Sequence, residues 1–82
     1  MKVNEGTFLK KDGSPRFMRF ARFEDLPKEF LASKISGEGK KKNMPEGLEL
    51  VYDLDADGFR VFNWKEVLGE VDTFEEEVSN LL

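Results

Sequence analysis

The chain lacks the two residue types that supply most protein metal sites and most acid–base catalysis. Its 82 residues include no cysteine and no histidine. Without cysteine there is no disulfide and no thiolate metal site, as is typical of the reducing cytosol. Without histidine the commonest general base is missing. The carboxylates fall in turns and polar segments, where nothing raises a pKa. We therefore predict a protein that is not an enzyme and that uses no metal and no cofactor.

Long hydrophobic runs are also missing. No apolar segment approaches the roughly 20 residues that cross a bilayer. The first six residues lack the apolar stretch of a signal peptide. We therefore predict a cytoplasmic protein that does not contact membranes. A chain of 82 residues is short enough to form one domain over residues 1–82.

Charge is divided unevenly along the chain. Residues 1–42 carry eleven Lys and Arg against six Asp and Glu, whereas residues 43–82 carry two against eleven. The net charge of −4 hides this division. We expect the folded domain to present separate basic and acidic surfaces, each able to meet a different partner.

The clearest predicted element is a hairpin over residues 48–63, where apolar and polar residues alternate. Its turn is predicted at residues 55–58, which end in Asp-Gly. This turn predicts two cross-strand pairs, Leu54 with Phe59 and Asp53 with Arg60, the second an ion pair. The even-numbered face of residues 48–54 is then the core, and the odd-numbered face is half-buried.

The N-terminal part predicts a strand at residues 7–10 and a turn at residues 11–15, which contain Asp-Gly. Residues 16–23 fit two structures. Their aromatic content and the preceding turn favour a strand. Ser14 as a cap and a following proline would instead begin a helix. Residues 25–31 predict a short helix.

The C-terminal part predicts a tight turn, a closing strand at residues 67–71 and a helix over residues 72–82. Thr73 and Glu76 match a capping box. Four apolar residues form one stripe of this helix, namely Phe74, Val78, Leu81 and Leu82. The stripe either packs on its own domain or binds a partner, which could be a second copy in a homodimer.

These elements suit a mainly β, small α+β domain, and three segments resemble a known family. Residues 50–53 and 58–67 resemble the end of the ligand-sensing WYL domains, and more closely the small phage-encoded WYL-like Sm/SH3 barrel family. Residues 8–19 are similar to that family's N-terminal segment. The resemblance implies a five-stranded SH3-like or Sm-like barrel over residues 7–71, with a short helix after the second strand and a C-terminal helical segment at residues 72–82.

The resemblance also implies a function and a location. It implies a phage-encoded regulatory module in the cytoplasm of the infected bacterial host, which binds nucleic acid or another anionic ligand. Arg60 stands at the family's first arginine, and Asn63 replaces the second. Glu49-Leu50-Val51 stands in place of the tripeptide that names the larger family. A single arginine clamps an anion less firmly than a pair.

The basic half supplies the candidate ligand contacts. Beside Arg60 and Asn63, the predicted nucleic-acid or ligand-binding residues are Arg16, Arg19, Arg22, Lys40, Lys41 and Lys42, with Lys10 and Lys11 nearby. They could follow a phosphate backbone while Phe17 or Phe23 stacks on a base. The alternative is a solvated charged face.

Two further patterns involve the acidic residues. The spacing Asp53-x-Asp55-x-Asp57-Gly58 matches half of a calcium loop, but Trp64 occupies the position of the bidentate glutamate. We therefore predict no metal site. The acidic C-terminal part supports a second hypothesis, in which the protein is a phage host-takeover or anti-defence factor that binds and inhibits a host bacterial protein.

Overall fold

The computed structural model describes residues 1–34 and 44–78, which form one antiparallel sheet of five strands. The strands are β1 (Lys2–Leu9), β2 (Pro15–Ala21), β3 (Leu48–Asp53), β4 (Gly58–Asn63) and β5 (Val67–Glu75). Their spatial order is β4-β3-β2-β1-β5. Helix α1 (Lys28–Lys34) follows β2, and 3-10 turns lie at Phe23–Asp25 and Trp64–Glu66. The predicted mainly β domain is confirmed.

The first hairpin explains why residues 15–21 form a strand and not the alternative helix. The Asp12 carboxylate accepts hydrogen bonds from the Ser14 hydroxyl at 2.6 Å and the Ser14 amide at 2.9 Å. These bonds lower the pKa of Asp12. Gly13 adopts a left-handed φ of 85°, which glycine accepts without steric cost. The turn returns the chain alongside β1, so that Ser14 ends a turn instead of capping a helix.

Two apolar clusters cover opposite faces of the sheet. Neighbouring residues of a strand point to opposite faces, and this separates Phe20 from Ala21 and Val51 from Tyr52. The first cluster contains Phe8, Met18, Phe20, Val51 and Phe62. The second contains Ala21, Leu26, Phe30 and Tyr52, with Phe30 of α1 lying 4.8 Å from the Tyr52 ring. No described helix is long and apolar enough to span a bilayer.

The second hairpin forms as predicted, but its turn begins one residue earlier. Asp53 pairs with Gly58, so the turn spans residues 54–57. The buried Asp53 carboxylate accepts hydrogen bonds from the backbone amides of Asp55 and Ala56, both at 3.1 Å. Asp57 then takes a left-handed φ of 54°. These local bonds close the turn before Leu54 can join the ladder.

The earlier turn changes which residues face each other. The predicted pairs of Leu54 with Phe59 and Asp53 with Arg60 are both wrong, because Phe59 lies opposite Tyr52 and Arg60 lies opposite Val51. The expected half-buried odd-numbered face is also wrong. Val51 is fully buried in the first cluster and Asp53 is only 3 % exposed. Both faces of β3 are therefore covered by side chains.

Strand β5 continues through the segment in which a helix was expected. Residues 72–75 pair with residues 2–5 of β1. The Thr73 hydroxyl donates a hydrogen bond to the Asn4 side-chain oxygen at 2.6 Å and does not cap a helix. Pairing satisfies backbone groups of β1 that would otherwise lie on an open edge. The predicted C-terminal helix is therefore wrong for residues 72–78, and Leu81 and Leu82 lie outside the described residues.

The sheet is strongly curled. Phe8 of β1 contacts Phe62 of β4 with ring centroids 5.0 Å apart, although β1 and β4 are not neighbours in the sheet. The β1–β5 pairing shifts register around Gly6. A Cβ atom on Gly6 would lie 2.9 Å from Val71 Cγ2 and 3.2 Å from Phe62 Cζ. A glycine here therefore lets three strands approach closely.

Candidate functional site

Arg19, a predicted ligand contact, forms ion pairs with acidic side chains. Its guanidinium binds the Glu76 carboxylate through two hydrogen bonds of 2.7 and 3.1 Å, and Glu5 at 3.3 Å. Asp55 lies 3.5 Å from its Nε. The bond to Glu76 is the main reason that the pKa of Arg19 is raised, and it lowers the pKa of Glu76. Arg19 therefore ties the segment just after β5 to β2.

Arg22, the second predicted contact, is held in the same way. Its Nε donates to the Glu49 carboxylate at 2.8 Å, and Glu24 lies 3.8 Å away. The hydrogen bond to Glu49 raises the pKa of Arg22. Glu49 is buried and also accepts a hydrogen bond from Trp64 Nε1 at 3.0 Å. This network joins the end of β2 to β3 and to the turn after β4.

Arg16 is anchored but remains partly open to solvent. One terminal nitrogen donates to the buried Asp53 carboxylate at 2.8 Å, and the side chain is 36 % exposed. Its Nε is buried and makes no hydrogen bond among the described residues. An unpaired buried donor costs about 1–3 kcal/mol. Arg16 therefore combines a fixed position with an unused hydrogen-bonding group.

The arginine–carboxylate ion pairs bring the basic and the acidic half of the chain into contact. The arginines of residues 1–42 meet acids of residues 43–82, namely Asp53, Asp55, Glu49 and Glu76. The expectation that basic and acidic residues occupy separate surfaces is therefore wrong for the three arginines. Ion pairs therefore connect the basic half of the chain to the acidic half. Any free basic surface must come from other residues.

Such a surface surrounds a groove of about 330 Å³. The β1–β2 hairpin contributes Phe8, Leu9, Lys10, Lys11, Arg16 and Met18 to its wall. The second hairpin contributes Leu48, Arg60, Val61 and Asn63. Phe8 and Met18 are buried and form the floor, whereas Lys10, Lys11 and Arg60 are exposed at the rim. The fold thus gathers three of the predicted contacts, namely Arg16, Arg60 and Asn63, around one cavity.

The rim cations are available to a ligand. Lys10, Lys11 and Arg60 form no salt bridge with any acid of residues 1–34 and 44–78. One terminal nitrogen of Arg60 donates to the Phe59 carbonyl at 2.8 Å, which steadies the side chain. Asn63 Oδ1 accepts the Lys65 amide at 3.0 Å, so its Nδ2 is the group left to meet a ligand.

The other predicted contacts divide into residues that the structure describes and residues that it does not. Lys40, Lys41 and Lys42 fall outside the described residues, as do Leu81 and Leu82. Phe74 is half-buried in β5 opposite Val3. Val78 packs against the second apolar cluster, so this part of the predicted partner stripe is used by the domain itself.

Sequence analysis missed the apolar walls of the groove. Leu48 and Val61 fall in the predicted hairpin without any role in a site, and no role is predicted for Met18. No local signal marks them, because the two hairpins that bring them together are far apart in sequence. Lys10 and Lys11, beside the Asp-Gly turn of the first hairpin, were the indication of a site at this end of the sheet. A hairpin turn projects its neighbouring residues beyond the end of a sheet.

The carboxylates of Asp53, Asp55 and Asp57 in the acidic turn of the second hairpin already have partners. Both Asp53 oxygens are occupied, and Asp57 accepts a hydrogen bond from the Tyr52 hydroxyl. Burial and this bond raise the pKa of Tyr52 to about 12. Within the described ranges no three acidic side chains are grouped to hold a metal ion.

The chain matches no protein-family model, no curated protein and no solved structure. Its function must therefore be inferred from the chemistry of the groove. The side chains of the groove offer hydrogen-bond donors at the rim and carbon atoms on the floor. Such an arrangement can bind an anion through charge-assisted hydrogen bonds.

Proposed function

We propose that the protein is a small regulatory binding module without enzymatic activity, which contacts nucleic acid or another anionic ligand through the groove. The observation that carries the proposal is the convergence of Lys10, Lys11, Arg16 and Arg60 on one cavity. Three of these cations, Lys10, Lys11 and Arg60, form no salt bridge among the described residues. A cation without a partner gains more from an incoming anion than one that must first leave a carboxylate.

The family resemblance supports the same site. Arg60 stands where the phage-encoded WYL-like barrels carry their first arginine, and Asn63 stands in place of the second. Both residues line the groove. We accordingly propose that the protein is a phage-encoded member of that group, acting in the cytoplasm of the infected bacterium.

We also propose that the sheet is an SH3-like or Sm-like barrel. Two observations support this. Strand β5 returns to lie beside β1, so the last strand neighbours the first. The ring contact between Phe8 and Phe62 crosses the interior between non-neighbouring strands. Closure of a small sheet around such a contact leaves an end open, and the groove lies at the end next to the first turn.

Anion titration tests the proposed function. A fluorescein-labelled single-stranded oligonucleotide and inorganic pyrophosphate are titrated while anisotropy or amide chemical shifts are followed. The three rim cations, Lys10, Lys11 and Arg60, predict a slope of log affinity against log salt of about −2 for the single strand. The Arg60→Gln variant should weaken both probes, whereas Lys28→Gln, the matched change on α1, should not. Equal affinities of the wild type and the Arg60→Gln variant for both probes would rule the groove out.

A second candidate function has its own observation. Phe17 is 57 % exposed and Leu68 is 47 % exposed. Both pair with Thr7 on adjacent strands and therefore share one face of the sheet. An exposed apolar pair beside an acidic edge strand fits a protein partner. The alternative is a host-takeover or anti-defence factor that binds and inhibits a host bacterial protein.

The two candidates are separated by capture from bacterial lysate with and without nuclease. Binding to a host protein predicts one captured protein that resists nuclease and is lost in the Phe17→Ser variant. Binding through the groove predicts that Phe17→Ser has no effect and that Arg60→Gln does. Phe17 is exposed, so its replacement leaves the core intact.

A further inference from the structure

We infer that the groove takes a small organic anion with an apolar body, such as an aryl phosphate monoester, and not a stretch of nucleic-acid backbone; this inference rests on the proposed function. Three properties of the groove support it. They are the polarity of its side chains, the division between floor and rim, and the small number of free cations.

The polar side chains of the groove are hydrogen-bond donors. Lysine and arginine have no acceptor, and the side-chain oxygen of Asn63 already accepts the Lys65 amide. An incoming group that is itself rich in acceptors is therefore preferred. Carboxylates and phosphates meet this requirement because an ionised oxygen accepts several hydrogen bonds.

The floor of the groove has a different chemistry from its rim. Phe8 and Met18 form a buried floor, and Leu48 and Val61 form apolar walls. A phosphate alone would contact the rim and leave these carbon atoms against water. A ligand with an apolar body would cover them, at roughly 25 cal/mol per Å² of buried apolar surface. The volume of about 330 Å³ is at the lower end of the range for small-molecule sites.

A polyanion fits the surroundings less well. A strand of nucleic acid needs a row of cations that continues beyond one cavity. Arg19 and Arg22, the two arginines of the chain that do not line the groove, are both paired with carboxylates. The chain carries a net charge of −4, so its long-range field opposes the approach of a highly charged strand. A ligand with one anionic group meets little of this opposition.

Arg16 adds a fixed element to the site. Asp53 holds one end of its guanidinium at 2.8 Å, so the side chain loses little further freedom when a ligand arrives. A ligand oxygen at the groove could pair with the donors that Asp53 does not use. The site therefore combines one cation anchored by a carboxylate with three cations on the rim that form no salt bridge among the described residues.

The experiment compares four probes on the intact chain by two-dimensional amide NMR. The probes are phenyl phosphate, inorganic phosphate, phenol and an oligothymidylate of eight nucleotides. The chain has no glutamine and few asparagines, so the Asn63 side-chain amide gives a resolved signal inside the groove. We expect phenyl phosphate to shift this signal and to bind at least tenfold more tightly than inorganic phosphate or phenol.

Two variants divide the contributions of charge and apolar surface. Arg60→Gln should weaken phenyl phosphate about fivefold, the upper range for an exposed ion pair. Val61→Asn should weaken phenyl phosphate about fourfold, which corresponds to the loss of one buried methylene group, and leave inorganic phosphate unchanged. Val61 is 38 % exposed, so the second change does not open the core. Lys28→Gln serves as the matched charge control.

The outcomes are distinguishable. If the oligothymidylate shifts the groove signals with a steep salt dependence while phenyl phosphate does not, the inference fails and the proposed function stands. If no anion shifts these signals, both fail. If phenol binds as tightly as phenyl phosphate and Arg60→Gln has no effect, the groove is an apolar pocket, and the anionic part of both proposals is refuted.

Discussion

Titration of the tyrosine at high pH tests the packing beneath α1. The chain has one tyrosine, so phenolate absorbance reports Tyr52 without interference from other tyrosines. The ring is 1 % exposed and its hydroxyl donates to the Asp57 carboxylate. Burial is the larger cause of the raised pKa, and the neighbouring carboxylate is the second. Both disfavour the phenolate.

The expected change in unfolding free energy follows from the shift in the pKa of Tyr52. The pKa of Tyr52 is about 12 in the folded protein against an ordinary value of 10.0. A raised pKa favours the protonated form of the folded state. Stability from this group is therefore complete below pH 10 and is lost as the pH rises towards 12. Two pKa units correspond to about 3 kcal/mol of unfolding free energy. In the Tyr52→Phe variant this part of the pH dependence should disappear.

Two controls complete the test. Asp57→Asn removes the negative charge but keeps a residue that tolerates the left-handed φ of 54°. In this variant the pKa of Tyr52 should lie between 10 and 12, because the ring is still buried. Circular dichroism at each pH shows whether the chain is still folded. A tyrosine midpoint near 10 in a protein that retains its native spectrum would refute the assigned packing of Tyr52.

Two further predictions concern the ion pairs. Because the hydrogen bond from Arg19 lowers the pKa of Glu76 below 4.5, its stabilising effect should be complete above about pH 5 and lost as the pH falls through the lowered value. Urea denaturation of the wild type and Glu76→Gln should give curves that converge in acid, and a difference that grows in acid would contradict this pairing. Asp53→Ala removes the partner of Arg16 and two turn hydrogen bonds, so it should lower the unfolding free energy by about 2–4 kcal/mol. Asp55→Asn is the exposed control and should cost under about 0.5 kcal/mol, and equal losses in the two variants would show that the buried turn is not formed.

The presence of the two hairpins could be predicted from short sequence patterns. Alternation identified the second hairpin, and the Asp-Gly turn identified the first. Register could not be predicted, because it depends on which residue closes the turn. The Asp53 carboxylate satisfies two turn amides, and this moves the pairing of the whole of β4. Neither alternation nor turn composition contains that information.

The predicted C-terminal helix shows the limit of local patterns. Thr73 and Glu76 match a capping box, but β1 has an edge that needs a partner, and the ladder outweighs a single cap. Glu76 then binds Arg19, which lies 57 residues earlier in the chain. A capping-box pattern covers only four residues, so it contains no information about a partner 57 residues away in the sequence.

The candidate site was predictable only in part for the same reason. Whether an arginine is free depends on acids far away in sequence. Arg16 and Arg22 meet carboxylates 37 and 27 residues further along the chain. The basic residues could be identified from the sequence as candidate ligand contacts, and the family resemblance indicated Arg60. The division of these residues between stabilisation and binding is a property of the fold.

That division can be measured directly by comparing the Arg19→Gln and Arg60→Gln variants for pyrophosphate affinity by NMR and for unfolding free energy in urea. We predict that Arg60→Gln weakens pyrophosphate binding while its unfolding free energy stays within about 0.5 kcal/mol of the wild type. Arg19→Gln should show the reverse, with lower stability and unchanged binding. Loss of binding in a stable Arg19→Gln variant, with full binding in Arg60→Gln, would contradict the assignment of the groove.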